Sequence, residues 1–190
     1  MKLTYCLTIL VAFAMFAEEP EAARKSALAA LENPVAPKAL EADADFQIAI
    51  KVKHGHLREL FIGCAEGRTD GFDRRPRGAG LAAMFDEMAP PPGIGTGYTY
   101  LVSPDRRMQL YKDIRGPQPE TPQWVLFAKP GDKPVTLSWD KSQIPAGKIL
   151  YCAKWDGAAT DVTEIVDCAK SASVTHDGFV YYRFWLAAAK

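Results

Sequence analysis

The sequence predicts an all-β fold, a sandwich or barrel of antiparallel strands. Three observations predict it. From Phe46 onward, apolar residues recur at every second position in short runs. Turn residues punctuate those runs at regular spacing, the mark of a sandwich or barrel. No helical pattern alternates with the runs, so a parallel sheet built from strand–helix–strand units is not supported.

The elements follow in order. Met1 and Lys2 precede an apolar run from Leu3 to Ala17, which Glu18-Glu19-Pro20 ends abruptly. A basic start, an apolar core and small residues near the end describe a secretory signal peptide, residues 1–17. The run falls short of the about 20 residues that a membrane span requires, so no span is expected after cleavage. Glu18 to Asp45 is an Ala/Glu/Pro-rich arm without an aromatic residue. Glu21 to Leu31 suits a short helix, stopped at Asn33-Pro34 because the residue before proline is pushed out of helical space. Pro34 and Pro37 favour an extended tether beyond it.

The body, 46–190, opens with Phe46, Ile48, Ile50 and Val52 alternating with Gln47, Ala49, Lys51 and Lys53, a strand with one buried face. Further strands are expected at Leu57–Ile62, Tyr98–Val102, Met108–Ile114, Trp124–Ala128, Val135–Trp139, Ile149–Trp155, Thr163–Cys168 and Phe179–Leu186. Between them stand Ser103-Pro104-Asp105, Gly116-Pro117, Lys129-Pro130-Gly131-Asp132, Ile144-Pro145-Ala146-Gly147, Asp156-Gly157 and His176-Asp177-Gly178, all turn sequences. Gly63 to Gly97 breaks the rhythm. A connection of this length is uncommon in a small domain and is usually functional or mobile. Leu81 to Met88 is a candidate for one or two helical turns within it.

With 190 residues the chain suits one ordinary domain plus extensions. Its 23 Lys+Arg balance 23 Asp+Glu, which argues against a nucleic-acid binder, since those show a basic excess. At 48% hydrophobic and 24% charged, it has the composition of a folded protein.

Three stretches together resemble a known architecture. They are Ile62-Gly63-Cys64 with Thr69-Asp70-Gly71-Phe72-Asp73, then Pro90-Pro91-Pro92-Gly93 after Phe85-Asp86. The third is Pro134-Val135-Thr136-Leu137-Ser138-Trp139-Asp140 with Ile144-Pro145-Ala146-Gly147. This order resembles immunoglobulin-like β-sandwich domains of bacterial secreted and cell-surface proteins, over residues 57–186. Trp124 and Trp139 take the matching places, while Cys152 and Cys168 stand where aliphatic residues are usual. The resemblance implies an antiparallel sandwich and an envelope or extracellular location, and no enzymatic activity. It also implies that both thiols point into the core. Because export favours disulfides and the two strands adjoin through Asp156-Gly157, a Cys152–Cys168 bridge is one expectation. Two buried reduced cysteines are the other.

Candidate chemistry is sparse. Glu66, Asp70 and Asp73 lie in a glycine-bearing loop and offer the oxygen ligands that calcium takes. Arg68, Arg74, Arg75 and Arg77 crowd the same loop and oppose a cation. A turn held by Asp side chains is the plainer account. His54 and His56 would share a strand face and suit a transition metal, with His176 as a third ligand, but Gly55 argues for a turn there. Cys64 with His54 or His56 is the one thiol-hydrolase pairing. Arg74, Arg75 and Arg77 are candidates for an anionic surface. Trp155, beside a turn, is a candidate for stacking on a sugar. The expectation is a secreted structural or interaction module whose partners are other secreted or envelope proteins, or polysaccharide. A carbohydrate-binding module using exposed aromatics is the alternative, and a metal-dependent or thiol hydrolase the lesser one.

Overall fold

A computed structural model describes residues 45–75, 84–93, 97–116, 122–155 and 162–189. The signal segment, the arm up to residue 44, Arg77 and the Asp156-Gly157 turn lie outside the described residues.

Eleven strands form one sheet. They are β1 (Phe46–Lys53), β2 (Glu59–Cys64), β3 (Glu87–Met88), β4 (Tyr98–Val102), β5 (Gln109–Arg115) and β6 (Gln123–Lys129). There follow β7 (Val135–Trp139), β8 (Lys148–Trp155), β9 (Val162–Asp167), β10 (Ser173–His176) and β11 (Val180–Ala188). Among the described residues there is no α-helix, only a 3-10 turn at Lys141–Gln143, where Asp140 accepts a hydrogen bond from the Ser142 amide at 2.9 Å. The strand order is β10-β7-β1-β2-β5-β4-β6-β11-β8-β9, with β3 also paired to β5.

The sheet is mixed, which corrects the purely antiparallel expectation. β2 and β5 run parallel, with Phe61 opposite Lys112 and Gly63 opposite Ile114. Parallel neighbours cannot be joined by a tight hairpin and need a long crossover. The Gly63–Gly97 connection, together with β4, is that crossover. Glu87–Met88 at its end is a short strand on β5, not a helical turn.

Strands distant in the order share one core. Ile48 and Ile50 of β1, Leu60 and Ile62 of β2, Leu126 of β6, Leu150 of β8 and Phe184 of β11 belong to a single buried cluster. The sheet therefore curls on itself like a half-barrel, with alternate side chains inside. Trp139 of β7 meets Phe184 edge-on at 6.2 Å, and Phe46 meets Trp124 at 6.4 Å. Each such side chain contributes roughly 1.5–3 kcal/mol on burial. The Trp139 indole N–H also donates to the Cys168 and Ser171 carbonyls, both at 2.9 Å.

The alternation of β11 fails at its end because both faces are covered there. Phe184 and Leu186 point into the main core, while Trp185 and Ala187 join Tyr151, Ala153 and Val162 in a second cluster. β10 escaped sequence reading because it is a short edge strand with Val174 as its one apolar residue.

No disulfide joins the described cysteines; Cys64, Cys152 and Cys168 are buried thiols. Cys152 stands opposite Val166, and the Cys168 amide donates to the Leu150 carbonyl at 2.8 Å. The two cysteines are thus diagonal across the ladder. Diagonal pairs lie about 7–8 Å apart, beyond the usual span of a disulfide.

Candidate ligand-binding groove

On the outer face of β4, β6, β11 and β8, one aromatic ring from each strand joins a row in cross-strand register. Tyr100 stands opposite Phe127, Phe127 opposite Tyr181, and Tyr181 opposite Trp155. Alternation puts this row outside because Leu101, Leu126, Tyr182 and Cys152 point inward. Tyr100 and Phe127 stack at 4.8 Å, Phe127 and Tyr181 meet at 5.2 Å, and Tyr181 and Trp155 meet edge-on at 6.3 Å. Tyr98, on the same strand as Tyr100, and Phe179, 64% exposed, pack on Phe127, which is buried at 6% exposure.

Beside the row lies a groove of about 650 Å³ between the sheet face and the β4–β5 hairpin. Four arginines line it, Arg106, Arg107, Arg115 and Arg183, and no carboxylate is among the described lining residues. Their circumstances differ. Arg115 is buried and grips Asp113 with two contacts, at 3.0 and 3.2 Å. Arg107 lies 4.0 Å from Asp105 at the surface. Arg183 and Arg106 converge instead on the Trp155 ring, their guanidinium carbons 4.7 and 5.4 Å from its centroid. Burial pushes the Arg183 guanidinium below its ordinary pKa, and the neighbouring Arg106 charge pushes it further the same way.

Arg106 is held in place by the hairpin. Its φ of +59° is left-handed, a conformation that costs a non-glycine residue about 1 kcal/mol or more. The surrounding bonds enforce it. The Arg106 amide donates to the Ser103 carbonyl at 2.8 Å, and the Asp105 carboxylate accepts from Ser103 Oγ at 2.6 Å and the Arg107 amide at 3.1 Å. Those two bonds hold the Asp105 carboxyl below its usual range.

Of the candidates read from sequence, Trp155 is in the groove, and Arg74 and Arg75 are not. Arg74 bridges in parallel to Asp86. Arg75 lies near enough to Glu87 to lower its pKa. Burial raises Glu87, but the Tyr111 hydroxyl, donating to the carboxylate, and Lys112 at 3.1 Å outweigh it.

The acidic loop residues are not gathered as a ligand set. Among the described residues, no three His, Cys, Asp or Glu side chains converge as a metal centre would need. The Asp73 carboxylate accepts from the Thr69 amide at 2.5 Å and the Thr69 hydroxyl at 3.2 Å. The Asp45 carboxylate accepts from the Glu66 amide at 2.8 Å. Asp70 is close enough to Asp113 to add to the burial that raises the Asp113 pKa. Beneath the loop, Asp86 accepts from the Asp73 and Ile114 amides, both at 2.7 Å. Burial raises its pKa to about 6 against those bonds.

His54 and His56 lie in the turn after β1, as Gly55 suggested, and His176 ends β10; His54 has φ +69°. His56 Nδ1 accepts from the Thr99 amide at 3.0 Å. Cys64 pairs with Phe46 at the opposite end of the β1–β2 hairpin, roughly 20 Å from that turn at the rise of a strand. No Cys64–His pairing is formed.

Sequence reading missed Arg106, Arg183 and Tyr100. The one signal was parity. Tyr181 and Arg183 share the face opposite Tyr182 and Phe184, so a charge two residues from an aromatic marks the outer face of a buried strand.

No protein-family model, curated protein or solved structure matches this chain. Among the described residues, no helix is long and apolar enough to cross a membrane.

Proposed function

We propose that this chain is a secreted or cell-surface binding module, not an enzyme, and that the groove at Trp155 is its recognition surface. The observation that carries the reading is the convergence of Arg106 and Arg183 on one indole. The indole and both guanidiniums line the groove, an apolar ring with a few placed polar groups of the kind that ligand sites use. The groove size falls within the range of small-ligand sites. The apolar segment 3–17 supports export, and the partners are other envelope or secreted proteins or polysaccharide. The immunoglobulin-like sandwich stands as the finer reading of the fold. The shared core between distant strands supports it, and the parallel β2–β5 pair is where this chain departs from it. Calcium is not required by the reading.

Retention on bacterial envelope preparations tests it. Trp155→Ala and Arg183→Gln should each abolish retention with the far-ultraviolet circular dichroism unchanged. Unaltered retention of both variants would remove the groove from the function.

A carbohydrate-binding role is the second reading, favoured by the in-register row Tyr100–Phe127–Tyr181–Trp155.

A further inference from the structure

We infer that the arm, residues 18–44, folds back on the domain as a second layer. The helix expected over Glu21–Leu31 lies on the outer face of β8, β9 and β11, with Leu28 and Leu31 against Trp185 and Tyr151. The inference is independent of what the groove binds.

The first observation is burial without a described cover. Trp185 and Ala153 are 0% exposed, Tyr151 4% and Val162 5%, and they form a cluster apart from the main core. The cluster is on the outer side of the sheet, since Phe184 and Leu186, flanking Trp185 on β11, point into the main core. An outer face stays wet unless another layer packs on it. β8, β9 and β11 pack chiefly on one another and on β6, all strands of the same sheet. The β4–β5 hairpin reaches this side at Trp155, through Arg106, and Tyr151 stacks on Trp185 at 5.4 Å from within the face.

The second observation is a donor. The Trp185 indole N–H is buried and donates to no described residue. The Trp124 and Trp139 indoles, by contrast, donate to the carbonyls of Asp113 and Cys168. A buried indole N–H ordinarily finds an acceptor, and here the acceptor belongs to whatever lies on the face. A helix ending at Leu31 offers such groups, because its last four carbonyls have no partner within the helix.

The third observation is where the arm joins the domain. Phe46 opens β1 against Trp124 at 6.4 Å, and Trp124 stands opposite Phe184, the neighbour of Trp185. The chain therefore enters at the end of the sheet that carries the cluster. Residues 32–45 include Pro34 and Pro37, and as an extended tether they reach about 40 Å. The whole of β11 spans about 30 Å, so the face is within reach.

Composition and place set aside the other segments. Residues 117–121 and 156–161 hold no leucine, isoleucine, valine or aromatic side chain. The connection 76–83 leaves and returns beside β5, three strands from β11. Residues 94–96 lead into β4 at the end paired with Lys129, away from Gln123 and Trp185. The arm has Leu28 and Leu31 on one helical stripe with Ala27. A helix this short is marginal alone and gains its stability by docking. A second copy of the chain is not needed, since burial of Trp185 is complete within one chain.

Nuclear magnetic resonance of the chain from Glu18 onward tests the inference. The described cysteines are buried, so a nitroxide can be attached at Ala29→Cys, on the helix side away from Leu28 and Leu31. It should broaden the signals of the Trp185 indole and the Ala153 amide and spare the Trp139 indole. Leu28→Asp/Leu31→Asp should speed exchange of the Trp185 indole N–H by about tenfold or more, because two leucines leave the contact, and leave the Trp139 indole unchanged. Absence of broadening on β8 and β11, or unaltered Trp185 exchange in the double variant, would overturn the docked arm. Broadening that passes from a nitroxide-labelled copy to an isotope-labelled one in a mixture would also overturn it, in favour of a second copy on the same face.

Discussion

Arg183 and Trp155 form a diagonal pair across β11 and β8, with the guanidinium carbon 4.7 Å from the indole centroid. Trp155 is in register with Tyr181 and Arg183 with Ala153, so the side chain leans along the strand to reach the ring. A partly desolvated contact of this kind is worth about 0.5–2 kcal/mol. Arg183→Met keeps the aliphatic stem and removes the charge. A double-mutant cycle with Trp155→Leu, read by urea unfolding, should return a coupling of about 1 kcal/mol. Additive single effects would mean that the pair is merely adjacent.

The strained hairpin separates stability from recognition. Asparagine tolerates left-handed backbone far better than arginine. Arg106→Asn should therefore leave the melting temperature equal to or above that of the parent chain, while retention on envelope preparations falls. Thermal unfolding and the retention assay on one preparation check both halves.

Asp86 sets a pH dependence whose sign is opposite to that of an ion-paired carboxylate. Its pKa is raised from 3.8 to about 6 by burial. The folded state therefore keeps a proton that the unfolded chain releases between those values. The contribution is present in full below the unfolded pKa and is lost as pH rises through the folded one. The slope reaches at most about 1.4 kcal/mol per pH unit. Across pH 4 to 6, the stability advantage of the parent chain over Asp86→Asn should shrink, and above pH 7 it should be flat. Denaturant melts across that range decide it. An advantage that grows with pH would mean that the amide bonds to Asp73 and Ile114 dominate the carboxyl.

Cys152 and Cys168 should be recovered in separate, alkylatable peptides from unfolded, non-reduced protein. Reductant should leave the melting temperature unchanged. A linked peptide would require the β8–β9 ladder to slip from the register that sets Cys152 against Val166.

The strands were legible wherever one face is buried and the other wet. Tyr98–Val102 and Val135–Trp139 were read at their observed bounds, because Thr99, Leu101, Val135, Leu137 and Trp139 alternate with more exposed neighbours. The end of β11 was not, since Trp185 and Ala187 are buried on the second face and erase the period. The parallel pairing was invisible because it depends on where the chain returns after Cys64, which no local pattern encodes. For the site, Trp155 could be singled out by its residue type alone. Arg106 and Arg183 are 77 positions apart, and only the hairpin folding over the sheet brings them to one ring.

The strand order has a consequence for how the chain matures. β1 lies between β2 and β7, and β7 in turn between β1 and β10. Synthesis delivers β1 and β2 early, yet one edge of β1 waits until Val135–Trp139 has been made. Through that interval a hairpin bearing Ile48, Ile50 and Leu60 has no lid. Pairings between segments so far apart close slowly and leave apolar edges open to aggregation. Nascent chains ending before Val135 should therefore depend on a holding chaperone, and chains extended through His176 should shed it.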